Sequence, residues 1–354
     1  MTARRTPPPA PLLRGGPRTA PAPVPATATV RGRRRAPLTE LASRLTPRDT
    51  WLLEMLAEHT VLTTTHITAL WNTSQRSTNR RLLALHRLGL LDSFRPRLAR
   101  GAAAEHYLLA RTAADLLAAR HATTPAALGW TSDLITRTAY SPLLAHNLGV
   151  ATFFTQLAHP GDPALGRIDA WWSEARCRHL WGDLVHPDAY GHHTPDQNTG
   201  ASDPAGAAGV PFFLEYDTGT EPHARLAAKL DEYAEAANAT RIRPLVLFTL
   251  HSHRREQHLH TTLANHPALE SINVATTARD LHAPGTDEHH PAEAVWLPLG
   301  HPAARSTLLD LPNGWPTARR PSSTLEDVEQ IARPRGLPAP DPRTPTHRPP
   351  ATGG

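Results

Sequence analysis

Lysine is nearly missing from this chain: of 37 basic side chains only Lys229 is a lysine, and the rest are arginine. Cys177 is the single cysteine, which excludes an intramolecular disulfide and any zinc site built on several thiolates. No apolar run approaches the roughly 18 to 20 residues that cross a bilayer. The N-terminal "MTARRTPPPAPLLRGGP" also lacks the apolar core of a secretory signal, so a soluble, cytoplasmic protein with no membrane partner is expected. A Gly-rich phosphate loop followed by Lys-Ser or Lys-Thr does not occur, which argues against an NTPase. Nor do the 22 histidines contain a His-Glu-x-x-His frame, or cluster beside a tyrosine as a covalent nicking enzyme would need. His192-His193 and His289-His290 neighbour Pro and Gly and read as loop residues rather than zinc ligands. Cys177, after a Trp-rich strand, reads as a buried structural thiol.

Proline and arginine are abundant instead. With 354 residues the chain has room for two domains and for tails, and 36 prolines with 21 glycines mean that not all of it packs. Residues 1–44 and 316–354 read as disordered. The net charge of +5 is uneven: residues 1–45 carry nine arginines against Glu40, densest in "RGRRRAP" (Arg31 to Pro37), and the remainder is slightly acidic. Such a segment serves either as a solubilising extension or as a nucleic-acid arm. The arginine-to-lysine ratio, beside abundant Ala and Pro, is what a GC-rich coding bias produces, and by itself it says nothing about arginine chemistry.

Between residues 45 and 125 the pattern turns helical. "TPRDTWLLEMLAEH" offers Thr46 as N-cap and Pro47 at the first helical position. "TTTHITALWN" and "SQRSTNRRLLALHRLGLL" give two more helices, the last with Thr78, Leu82, Leu85 and Leu88 inward and Gly89 at its end. "LLDSFRP" and "EHYLLA" then pair across the basic loop "RLARGAA". This order describes a winged helix-turn-helix for double-stranded DNA. Gln75, Arg76, Asn79, Arg80 and Arg87 would face the DNA from the third helix, with Arg95, Arg97 and Arg100 on the wing. A solvated helix face or a protein-docking module is the competing explanation. Such modules often act in pairs, so a homodimer is an expectation.

Residues 140–300 alternate strands and helices, an α/β pattern that makes the whole chain α+β. In "VPFFLEYDTGTE" a buried strand ends on Glu215 and Asp217, which project from one face. With Glu174 after "DAWWS" and Asp188 in "HPDAYG", acids gather at neighbouring strand ends. Oxygen donors so arranged suit Mg²⁺, which would activate water and offset charge on a phosphodiester.

"HPDAYG" followed by "PFFLEYDTGTE" resembles the bipartite motif of PD-(D/E)xK nucleases, Pro187-Asp188 and then Glu215-x-Asp217, on a restriction-endonuclease-like core. A lysine normally stands where this chain has Asp217. In some members it comes from the following helix, where Lys229 lies, and the alternative for Lys229 is an ion pair with Asp231 or Glu232. Over Leu45 to Leu299, "LTPRDTWLLEMLAEHTVLTTTHITALW", "RRLLALHRLGLLDSFRP", "WWSEARC", "PDAYG" and "PFFLEYDTGTEPHARLAAKLDEYA" occur in the order that is similar to the replication-relaxation family of actinobacterial plasmids and mobile elements. That resemblance implies DNA binding in plasmid replication or mobilisation, with other replication or transfer proteins as partners. Two roles for the second domain remain: a Mg²⁺-dependent endonuclease using Asp188, Glu215, Asp217 and Lys229, or a domain that no longer cuts and recruits others.

Overall fold

The computed structural model describes residues 24–25, 37–96, 103–158, 161–196, 209–220, 222–280, 289–301, 304–321 and 337–345. Most of the basic arm, and Arg97 and Arg100 of the expected wing, lie outside them. A short strand, β1 (Val24–Pro25), precedes α1 (Leu38–Ser43), which buries Leu41, so order begins inside the stretch expected to be tail up to residue 44. Helix α2 (Pro47–His59) starts as its sequence dictates: Thr46 accepts from the Asp49 N–H while the Asp49 carboxylate accepts from the Thr46 N–H. Strand β2 (Leu62–Thr63), helices α3 (Thr64–Leu70) and α4 (Gln75–Arg87), and strands β3 (Leu91–Arg95) and β4 (His106–Leu109) follow. The four strands form a small antiparallel sheet in the order β1-β3-β4-β2. Ser74 caps α4, and Gly89 (φ +73°) turns the chain out of it into β3. The side chains of Thr78, Leu82 and Leu85 are buried, and Leu88 packs part-buried beside them. Asp49 also reaches across to α4, where Arg81 donates to it through Nε at 2.8 Å, fixing α4 against the start of α2.

After α5 (Arg111–Arg120), α6 (Leu134–Ala139) and α7 (Leu144–Ala158) comes the larger sheet. Strands β5 (Arg167–Ser173), β6 (Ala189–Thr194) and β7 (Val210–Tyr216) run antiparallel, with α8 (Glu174–Trp181) between the first two. Helices α9 (His223–Thr240) and α10 (His253–Leu263) then cross over to β8 (Leu245–Leu250) and β9 (Asn273–Ala278), which extend the sheet in parallel. Strand β10 (Leu297–Pro298) closes its edge antiparallel to β9. The fold is α+β, with a mixed six-stranded sheet in the order β10-β9-β8-β7-β6-β5.

Both faces of that sheet are covered, which is why its central strands read as continuous apolar runs. Val210, Phe212 and Leu214 point to α7 and the front of the chain, in one core with Phe153, Phe154 and Trp171. The alternate residues face α8, α9 and α10, in a second core with Trp181, Leu226, Leu230 and Tyr233. Cys177 is buried in this second core, as a structural thiol would be, and burial pushes its pKa up. The stripe that α9 buries is Leu226, Leu230 and Tyr233. His192 and His193 depart from the loop expectation: both lie in β6, and His193 is fully buried with Nε2 at 2.7 Å from the Leu165 carbonyl.

Front and back halves share a core and are pinned by polar contacts. Glu58 of α2 accepts from the Ser173 N–H at 3.0 Å and from Arg176 Nε and Nη2 at 2.9 and 2.7 Å. His66 of α3 meets Thr152 of α7 at 3.0 Å. A further departure concerns the expected tail from residue 316. Residues 337–345 lie back over the seam, where Trp51 Nε1 donates to the Asp341 carbonyl at 2.7 Å and Arg176 Nη2 to the Leu337 carbonyl at 3.0 Å. Proline-rich composition argues against a packed core, not against a segment docked on one.

Candidate functional site

Strand pairing builds the site. The Asp188 N–H donates to the Leu214 carbonyl at 3.1 Å and the Tyr216 N–H to Asp188 Oδ2 at 2.7 Å, so Asp188 lies opposite Glu215 at the end of β6 and β7. Alternation turns Glu215 toward α9, where it is 2% exposed. There it accepts from Lys229 Nζ at 2.6 Å and from the Tyr233 hydroxyl at 2.6 Å, two residues one turn apart on α9. The cation beside Glu215 is therefore Lys229, which turns to this buried carboxylate. His146, near the start of α7, brings Nε2 to 3.2 Å from Asp188 Oδ1 and sets its ring edge-on to Tyr216. Gly149 makes that approach feasible, because a Cβ there would fall 2.2 Å from the Tyr216 ring.

Burial and the facing Asp188 charge push the Glu215 carboxyl up from 4.5 to about 8, against the opposing pull of Lys229 and Tyr233. Burial works to lower the His146 pKa, but its hydrogen bond and charge contact with Asp188 prevail and hold it above its ordinary value. Burial and Glu215 together raise the Tyr233 hydroxyl far above the usual phenol range. Near neutral pH Glu215 thus retains its proton, beside an Asp188 that is in contact with the His146 imidazole.

The other two expected acids are placed elsewhere. Asp217 shares the Glu215 face but turns to α10, where Arg255 Nη2 donates to it at 3.0 Å, and it also accepts from the Gly219 N–H at 3.0 Å. That bond ties down the Thr-Gly-Thr turn. Glu174 begins α8 instead of ending a strand, and pairs with Arg178 one turn on. Four carboxylates sharing one Mg²⁺ is therefore not the observed arrangement. Among the described residues no group of three or more His, Cys, Asp or Glu is arranged to hold a metal ion. Both oxygens of Asp188 and both of Glu215 already have protein partners.

At the front, Gln75, Arg76, Asn79, Arg80 and Arg87 are all exposed on α4, opposite the buried Thr78, Leu82 and Leu85. Arg95, at the end of β3, pairs with Glu105 at 2.9 Å across the hairpin. His146, Arg255 and Tyr233 are the site residues that the sequence reading passed over. A histidine opening an otherwise apolar helix was a visible signal for the first, whereas Arg255 reaches Asp217 only through the crossover.

Against known families, the replication-relaxation model matches residues 53–245, more than half of the chain. The chain belongs to the replication-relaxation family. The replication-relaxation match runs from α2 to the start of β8, so it encloses α4, His146, Asp188, Glu215, Lys229 and Tyr233 and leaves Arg255 and residues 337–345 outside. Membership of the replication-relaxation family suggests a role in plasmid replication or mobilisation. Neither a curated protein nor a solved structure matches the chain. No helix of the described residues is long and apolar enough to cross a membrane.

The sign of the Glu215 shift yields a prediction. A carboxyl raised from 4.5 to about 8 keeps, in the folded state, a proton that the unfolded chain has released. Its contribution to stability is therefore full below pH 4.5 and is lost as the pH rises through 8. Glu215→Gln should lose less stability than the native protein across that interval in urea denaturation at a series of pH values. Parallel pH profiles for the two proteins would contradict the assignment.

Proposed function

We propose that this protein acts in plasmid replication or mobilisation by binding double-stranded DNA through residues 45–125, a winged helix-turn-helix, and that residues 140–300 form a PD-(D/E)xK-like domain. One observation carries the DNA reading. Helix α4 exposes two arginines, an amide pair and a further arginine on a single face while burying the opposite one. A helix so divided can enter a major groove by its N-terminal half, where Gln75, Arg76, Asn79 and Arg80 would meet base edges and phosphates. Arg87 would meet the backbone, and Arg95 and Arg97 would follow on the wing. A homodimer reading two half-sites, and a partner from the replication or transfer machinery, complete the proposal.

Gel shifts on plasmid DNA test this. Arg76→Ala and Arg80→Ala should each weaken binding by about tenfold or more, and the loss of a phosphate contact should reduce the salt slope by about one. Affinity and salt dependence unchanged in both variants would contradict the placement of α4 on DNA.

For the second domain, the reading favoured is recruitment without cutting, because the oxygens of the carboxylates that meet already contact Lys229, Tyr233 and His146 and Glu215 holds a proton. A second reading, a metal-dependent endonuclease using Asp188 and Glu215 with Lys229 beside them, is supported by the convergence of these residues at one strand end. Mg²⁺ would have to displace the contacts those oxygens now make, and Asp217 and Glu174 would not join it without turning from Arg255 and Arg178. Supercoiled and linear plasmid incubated with Mg²⁺ or Mn²⁺ separates the two. Intact DNA with native protein is expected, and cleavage that disappears in Glu215→Ala would establish the endonuclease.

A further inference from the structure

The seam between the two halves is crossed by Leu337–Pro345, a segment without helix or strand that nonetheless has a defined seat. Two buried-side donors, one from each half, recognise its backbone: Trp51 Nε1 donates to the Asp341 carbonyl at 2.7 Å and Arg176 Nη2 to the Leu337 carbonyl at 3.0 Å. Side chains follow the same division. Leu337 packs on the core shared with the front of the chain, Ala339 packs on the core under α8 and α9, and Pro342 is buried. Arg343 lies 3.6 Å from Asp169 on β5, and Thr344 donates to the Leu70 carbonyl at the end of α3. A cleft of about 520 Å³ remains open alongside, between α2, Trp130 and Arg176.

An indole N–H and a guanidinium aimed at the carbonyls of a proline-rich segment, with Leu337 and Ala339 seated on the two cores, is chemistry suited to the capture of proline-rich peptides. Proline lacks an N–H, so such a segment offers carbonyls to donors and little else to bond. The bound stretch reads Pro338-Ala339-Pro340-Asp341-Pro342, and the chain carries the same spacing again as Pro21-Ala22-Pro23-Val24-Pro25. We propose that the seam is a recognition groove for Pro-Ala-Pro-x-Pro peptides, occupied in cis by Leu337–Pro345 as an exchangeable ligand. This stands independently of whether the protein binds or cuts DNA.

Covalent linkage of a segment to its own seat corresponds to a local concentration on the order of 1 mM. A seat filled under those conditions needs a free-peptide Kd of about 1 mM or tighter. The test uses the complete chain with a protease site inserted within 322–336, cut and then titrated with a fluorescent peptide of residues 337–345. Saturable binding within that limit is expected, absent for a scrambled peptide and for one carrying Pro342→Asp. Trp51→Phe, which keeps an aromatic ring but removes the N–H, should weaken it roughly three- to tenfold. Should that variant fail to fold, the two control peptides decide. Equal binding of the scrambled peptide, no binding up to about 1 mM, or a cut segment that stays in place and does not exchange, would each overturn the proposal.

Discussion

A carboxylate sunk under a helix sets the terms for the second half of this protein. Glu215 ends a strand whose other residues are among the most apolar in the chain, and α9 closes over it. An acid in that position must be neutralised, by a proton, a cation or hydrogen bonds. It finds all of these within one turn of α9, in Lys229 and Tyr233, and in its own raised pKa. With α9 held to β7 in this way, the paired end of β6 brings Asp188 alongside, and α7 answers that charge with His146. A chain that uses arginine almost everywhere keeps its one lysine here. A compact ammonium on a flexible stem reaches a buried single acceptor more easily than a planar guanidinium does.

Much of this was legible in residue order because its causes are local. The cap at Thr46 and Pro47, the inward stripe of α4, the β3–β4 hairpin, and the alternation that puts Glu215 and Asp217 on one face all follow from short-range rules. The family resemblance read from ordered motifs agrees with the replication-relaxation match. What could not be read depends on pairing between distant elements. Asp217 was grouped with Glu215 by periodicity, yet a shared face is not a shared partner, and α10 offers Arg255 to one while α9 offers Lys229 to the other. Glu174 follows its strand so closely that only the Ser173 cap, which starts α8 at once, takes it out of the sheet. For residues 337–345 composition misled, since the contacts that hold them come from α2, α3 and α8.

The two halves are not independent beads. Helix α7 carries His146 toward Asp188 at one end and, two turns along, Thr152 toward His66 on α3, so the carboxylate pocket and the helices proposed to read DNA share one rigid element. Glu58, half-buried and kept ionised by Arg176 despite desolvation, fixes α2 to the start of α8. The front of the protein is thereby oriented by the same sheet that builds the pocket.

Burial raises the Glu215 pKa most, and Asp188 lies close enough for its charge to raise it further. Carbon-13 titration of the Glu215 carboxyl, in the native protein and in Asp188→Asn, measures that directly. A midpoint near 8 that falls when Asp188 is neutralised is expected. A midpoint at the ordinary 4.5, unmoved by Asp188→Asn, would mean that the two carboxyls do not share a pocket.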